Sequence, residues 1–157
     1  MTIFDAIPHN WPLRTAFPGE EDASSPLLDV ENSVDFVIAS EVSPVEAMER
    51  AVALSAVALP RMLQGAPDLV RTCDNVKAVL AELVDVTARN QASDALIARI
   101  AYDGAHVTVS VGEMGRPLPA PEEEPGLYLV HRIASEVGQY AGDHGGRVTW
   151  AAVAAGT

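Results

Sequence analysis

Leu-Ile-Ala-Arg-Ile-Ala-Tyr-Asp-Gly-Ala-His-Val-Thr-Val-Ser-Val, residues 96–111, decides the class of fold. Apolar residues alternate through Leu96 to Tyr102 and again through His106 to Val111, the period of two that marks half-buried strands. Asp103-Gly104 sits between the runs and is a hairpin turn signal. Before this hairpin the pattern is helical. Ser43-Pro44 supplies an N-cap and a proline at the first helical position. From Pro44 to about Gln64, apolar residues recur with helical spacing at Val45, Met48, Val52, Leu59 and Leu63. Pro60 is expected to kink or end this helix, since it lacks an N–H and crowds the preceding turn. Gly65-Ala66-Pro67 stops it, and Asp68 is expected to cap a second helix running to about Asn90, with a break before Asn75 left open.

Outward from these elements, Val34 to Ile38 reads as a first strand. A loop rich in glycine, proline and glutamate follows the hairpin from Gly112 to Pro125. A third helix is expected from Gly126 to about Val137, and a last strand from Arg147 to Val153. The fold class is therefore α/β: a two-layer sandwich with one mixed sheet covered on one face by about three helices. Residues 1–32 carry Pro8, Pro12, Pro18, Pro26, Gly19 and the acidic run Glu20-Glu21-Asp22, with no regular period. They read as an extended arm or tail whose apolar members (Ile3, Phe4, Ile7, Trp11, Phe17) dock on their own domain or on a partner. Residues 33–157 form the domain.

The 157 residues fit one domain plus that tail. Twenty-two acidic against ten basic residues give a formal charge of −12, which repels nucleic-acid phosphates and anionic lipid, so neither is an expected partner. The single cysteine, Cys73, excludes an internal disulfide and a zinc cluster and fits a reducing cytoplasm. It reads as a small helix residue. His9, His106, His131 and His144 lack metal-ligand spacing. Met1 to Asn10 has no signal-peptide character, and the apolar stretch Ala51 to Pro60 is shorter than the roughly 20 residues of a membrane span.

Three segments, in order, carry a resemblance: Ala81-Glu82-Leu83-Val84-Asp85-Val86-Thr87-Ala88-Arg89-Asn90; Val107 to Pro119, with Gly112-Glu113-Met114-Gly115-Arg116-Pro117; and Glu124-Pro125-Gly126-Leu127-Tyr128-Leu129-Val130. Together they resemble the glutamate-and-asparagine helix, the adenine-binding turn and the phosphate-binding glycine segment of the histidine-kinase-like ATPases. The anti-sigma-factor serine kinases of bacterial partner-switching systems are the nearest group. Gly145 to Ala151 sits where that group has its last strand, and the resemblance spans residues 34 to 153. It implies a nucleotide site, with ATP and magnesium as cofactors.

Several positions depart from the family's pattern. Glu82 matches the catalytic glutamate, but Val86 stands where a magnesium-binding asparagine is needed and offers no oxygen. Asp85, beside it, projects about 100° away on a helix. Val111 replaces the adenine-reading aspartate, Glu113 the first glycine of the turn and Glu124 the first glycine of the lid, while Gly115 and Gly126 remain. The family's last-strand threonine falls at Val148, with Thr149 one place along and expected to face the other side. An unpaired buried donor on the base costs ~1–3 kcal/mol, and Glu122-Glu123-Glu124 add repulsion toward a polyphosphate, although such a run also serves as a solvated loop that favours the dipole of the helix beyond it. The expectation is a non-catalytic, ATPase-like regulatory module without a bound cofactor, its pocket filled by Val86, Val111 and Val148. Glu82 then reads as an ordinary helix residue. Its implied partners are a sigma factor, an anti-anti-sigma factor, a signalling kinase or a second copy of itself. The alternative is an active ATP- and magnesium-dependent serine/threonine kinase, with Glu82 as base and Asp85, Gly115 and Gly126 holding the nucleotide. A third reading is a sensor of another small molecule.

Overall fold

A computed structural model describes residues 32–39 and 41–155; the arm expected over residues 1–32 lies, apart from Asn32, outside them. The elements are β1 (Ser33–Ala39), α1 (Pro44–Met62), α2 (Leu69–Arg89), β2 (Ala95–Tyr102), β3 (His106–Met114), α3 (Gly126–Ile133), β4 (Glu136–Ala141) and β5 (Arg147–Ala154). The strands form one open sheet in the order β1-β2-β3-β5-β4, and the helices lie on one side of it. The α/β two-layer class stands. The sheet, however, is antiparallel throughout rather than mixed. The crossover through α3 does return β4 parallel to β3, but β5 fills the place between them, so no parallel strands are neighbours.

Local chemistry explains the ends of the helices. Ser43 Oγ accepts from the Glu46 N–H at 3.2 Å while Glu46 accepts from the Ser43 N–H at 3.4 Å, a reciprocal cap behind Pro44. Pro60 neither kinks nor ends α1, which runs to Met62. It falls in the last turn, and Ala56, whose carbonyl loses its donor there, is exposed to water. Ala47, Ala51, Ser55 and Leu59 form the buried stripe of α1. Asp68 does not cap α2: its backbone is left-handed (φ 48°) and its carboxylate turns to Arg71 at 3.4 Å. Nor is α2 broken before Asn75. Its inner side, from Cys73 and Val76 through Leu80, Leu83, Val86 and Thr87, is buried.

In the hairpin, Asp103 Oδ1 accepts from the N–H groups of Ala105 and His106 at 2.8 and 2.7 Å, and Gly104 takes φ 96°. Two strand assignments need correction. Gly112, Glu113 and Met114 extend β3 instead of opening a loop, because a register irregularity between Val111 and Met114 lets β3 continue along β5. The third helix stops at Ile133, and residues 136–141, expected partly as helix, form β4 on the free edge of β5.

Cross-strand register divides the sheet into two faces. Phe36, Ile38, Leu96, Ala98, Ile100, Val107, Val109, Val111, Ala151 and Val153 point toward the helices and make the core. Outward, three rows run across the strands: Val37, Ile97, Gly112, Val148 and Tyr140; then Asp35, Arg99, Ser110, Trp150 and Gly138; then Ser33, Ala101, Thr108, Ala152 and Glu136. No helix among the described residues is long and apolar enough to cross a membrane.

Candidate functional site

The last two turns of α2, the loop after β3 and the start of α3 converge, and they bring Glu82, Asp85, Glu124 and Gly126 together. Arg89 organises the group. Its Nη2 and Nε donate to Asp85 Oδ2 at 2.8 and 3.2 Å, and Nη2 and Nη1 donate to Glu124 Oε1 and Oε2 at 2.7 and 2.9 Å. The fork of a guanidinium suits this bidentate grip. Hydrogen bonds from Arg89 hold the Glu124 carboxyl below the usual range, and bonds to Glu124 and then Asp85 raise the guanidinium's own high value further. Glu124 thereby fastens the loop before α3 to α2.

Glu82 lies beside this clasp with its carboxylate against Gly126, where a Cβ would collide with it. Burial pushes the Glu82 carboxyl up, Asp85 pushes it further, and Arg89 opposes them. Three carboxylates share one guanidinium, so the site is net negative. Gly115 is held from the other side, its N–H donating to the Asn90 carbonyl at 2.8 Å. Asn90 Nδ2 in turn donates to the Val86 carbonyl at 2.9 Å and closes the end of α2.

Beneath these residues, between helices and sheet, side chains fill the volume. Val86, Val111, Met114 and Leu127 are each at most 1 % exposed. A polar chain runs through them: the Leu118 N–H donates to Gln139 Oε1 at 3.0 Å, Gln139 Nε2 donates to Thr149 Oγ1 at 3.0 Å, and the Thr149 hydroxyl donates to Met114 Sδ at 3.4 Å. Val148 does not join Val86 and Val111 in filling this space. The pairing of Val111 with Thr149 turns Thr149 toward the helices and Val148 outward, where its Cγ2 would stand 2.7 Å from a Cβ on Gly112. Thr149, and not Val148, is therefore the inward residue at this point of β5.

Glu113 makes its contacts away from the Arg89 clasp. It is 6 % exposed and reaches into the β4–β5 turn. Its Oε1 accepts from the Gly146 N–H at 2.8 Å and its Oε2 from the His144 N–H at 3.0 Å, with His144 Nδ1 at 3.2 Å. Burial would push this carboxyl up, but the His144 and Gly146 N–H groups and the His144 ring together outweigh it and hold it below the usual range. Gly142 and Gly146 leave space for the side chain; a Cβ on Gly146 would meet Glu113 Cβ at 2.8 Å.

A cleft of about 500 Å³ opens on the outward face, floored by Ile97, Gly112 and Val148 and rimmed by Arg99, Tyr140 and His144. Of the positions at which the chain departs from the resembled family's pattern it touches only Glu113 and Val148, and it lies across the sheet from the Glu82 cluster. Cys73 is buried, and burial pushes its thiol up, away from nucleophilic use. Among the described residues no group of three or more His, Cys, Asp or Glu side chains is placed to hold a metal ion. Arg89, Met114 and Gln139 were not picked out from the sequence. Arg89 had a usable signal, the i,i+4 spacing from Asp85; the other two had none. A comparison with protein-family models returns no match, and neither does a comparison with curated proteins.

Proposed function

We propose that this chain is a non-catalytic relative of the histidine-kinase-like ATPases that acts as a protein-binding regulator in a bacterial anti-sigma or partner-switching system, in the cytoplasm. The packed interior carries the reading: Val86 and Val111, which stand where the resembled family has its magnesium-binding and adenine-reading residues, are apolar and buried together with Met114 and Leu127. The residues present do not fit magnesium and ATP. Val86 has no ligand atom, and Asp85 beside it in sequence is already engaged by Arg89 at 2.8 Å. The lid glutamate is engaged by the same guanidinium at 2.7 Å, so the segment that would fold over phosphates is anchored in place and negatively charged. A regulator of this kind works through a stable surface, for which the filled interior is an asset. Its partner on this reading is a sigma factor, an anti-anti-sigma factor, a signalling kinase or a second copy of the chain.

Calorimetric titration with ATP, with and without magnesium, tests the reading. The expected result is no saturable heat and no thermal shift at millimolar nucleotide. Micromolar binding that requires magnesium would overturn it and restore the kinase alternative with Glu82 as base.

A further inference from the structure

The cleft on the outward face of the sheet has a floor of one cross-strand row. Ile97 pairs with Gly112, and Val148 with Tyr140. Val148 leans over Gly112, its Cγ2 2.7 Å from the place where a Cβ would stand, so the middle of the row is flat and apolar. Four strands at about 4.8 Å spacing give the row a length of roughly 14 Å. Two loops rise at the same end of the sheet and form walls, and each is pinned from within. On one side Ser93, Asp94 and Ala95 lead into β2: the Ser93 carbonyl accepts from Gln91 Nε2 at 2.8 Å, and its hydroxyl donates to the Ala95 carbonyl at 2.9 Å. On the other, Glu113 holds the β4–β5 turn through the His144 and Gly146 N–H groups. Walls fixed in advance lose little freedom when a ligand enters.

The charges lining the cleft do not cancel. Beside His144 they are Asp35, Asp94, Glu113 and Asp143 against Arg99. Arg99 is drawn to Asp35 at 3.2 Å, and Glu113 is engaged by the turn and by the His144 ring. Asp94 and Asp143 remain, one on each wall and both exposed. Neither carboxylate has a hydrogen bond or ion pair among the described residues.

We propose that this cleft binds a small organic amine with a flat apolar body. The body lies on Ile97, Gly112 and Val148 beside Tyr140, and the ammonium sits at the rim that Asp94 and Asp143 make negative. A few polar groups around an apolar floor is the usual construction of a small-molecule site. An anion would meet like charge there, and a cation without an apolar body would gain nothing from the floor. The site shares no lining residue with the cluster of Glu82, Asp85, Arg89 and Glu124, so it stands or falls apart from the nucleotide question.

Phenethylamine is the probe. Phenylpropionate, the same ring and chain bearing a carboxylate, and ethylamine, the charge without the ring, are the controls. Each is titrated into the isotope-labelled full-length chain and followed by amide NMR shifts. Phenethylamine is expected to shift the amides of Ala95, Ile97, Gly112, Asp143 and Val148 saturably, while both controls leave them in place. In the double variant Asp94→Asn, Asp143→Asn, both changes being at exposed loop positions, its affinity should fall several-fold. Added salt should weaken binding to the parent chain and leave binding to the double variant unchanged. The absence of saturable shifts at the cleft, equal binding of phenylpropionate or ethylamine, or equal affinity in the double variant would each overturn the proposal.

Discussion

Replacing Glu113 by glutamine tests whether one buried carboxylate holds the β4–β5 turn. The carboxylate accepts two backbone N–H groups, from His144 at 3.0 Å and Gly146 at 2.8 Å. Glutamine keeps the shape but has a single acceptor oxygen, so its amide nitrogen must face one of those donors. The variant loses one charge-assisted hydrogen bond, weakens the second and leaves a backbone N–H opposed, for a cost of about 2–3 kcal/mol. For a chain of this size that lowers Tm by roughly 5–10 °C. The pH dependence fixes the cause. The folded pKa of Glu113 lies below its ordinary value, so its contribution is fully present above the unfolded pKa of about 4.3 and is lost as pH falls through the folded value. Urea unfolding of both proteins at pH 7, 5 and 3 should therefore show a constant gap between pH 7 and 5 that narrows toward pH 3. A gap under about 0.5 kcal/mol at pH 7, the usual scatter of neutral surface changes, would refute this reasoning, as would a gap unchanged at pH 3.

Three further outcomes are expected. Arg89→Ala should cost no more than about 1 kcal/mol, since the clasp is partly solvated, yet it should raise amide exchange across residues 115–125 measured by mass spectrometry. Val111→Asp, which puts back the carboxylate of the resembled family, should unfold the domain by circular dichroism and not create nucleotide binding, because Val111 is fully buried in the core. Glu82→Gln should raise Tm slightly at pH 7: the carboxyl's folded pKa is raised, so ionisation costs stability above it. That gain should vanish below the unfolded pKa of about 4.3, and scanning calorimetry at both pH values checks it.

What could be read in advance was whatever neighbours in sequence decide. The hairpin followed from alternation and Asp103-Gly104, and the start of α1 from Ser43-Pro44. The β4 strand was missed because Gln139 occupies an inward position. Its burial is acceptable only with Thr149 and the Leu118 N–H as partners, ten and twenty-one residues away. The same limit hid the antiparallel order, which depends on β5 entering between β3 and β4, and the inward place of Thr149, which depends on the irregularity between Val111 and Met114. The clasp was half legible: Asp85 and Arg89 are one helical turn apart, while Glu124 is thirty-five residues away. The cap expected from Asp68 failed on backbone handedness, which residue identity alone does not set.

The position of β5 carries a consequence for how the chain is made. Translation supplies β3 and β4 before β5, yet both hydrogen-bond to β5 and not to each other. Until residues 147–154 leave the ribosome, one side of β3 has no strand to pair with, and β4 has none at all. The inward-facing Val107, Val109 and Val111 then sit in a strand with an unpaired edge, the arrangement most exposed to pairing with other nascent chains. A stalled or truncated product ending before β5 should aggregate in proportion to its concentration, whereas a chain only eight residues longer closes the sheet.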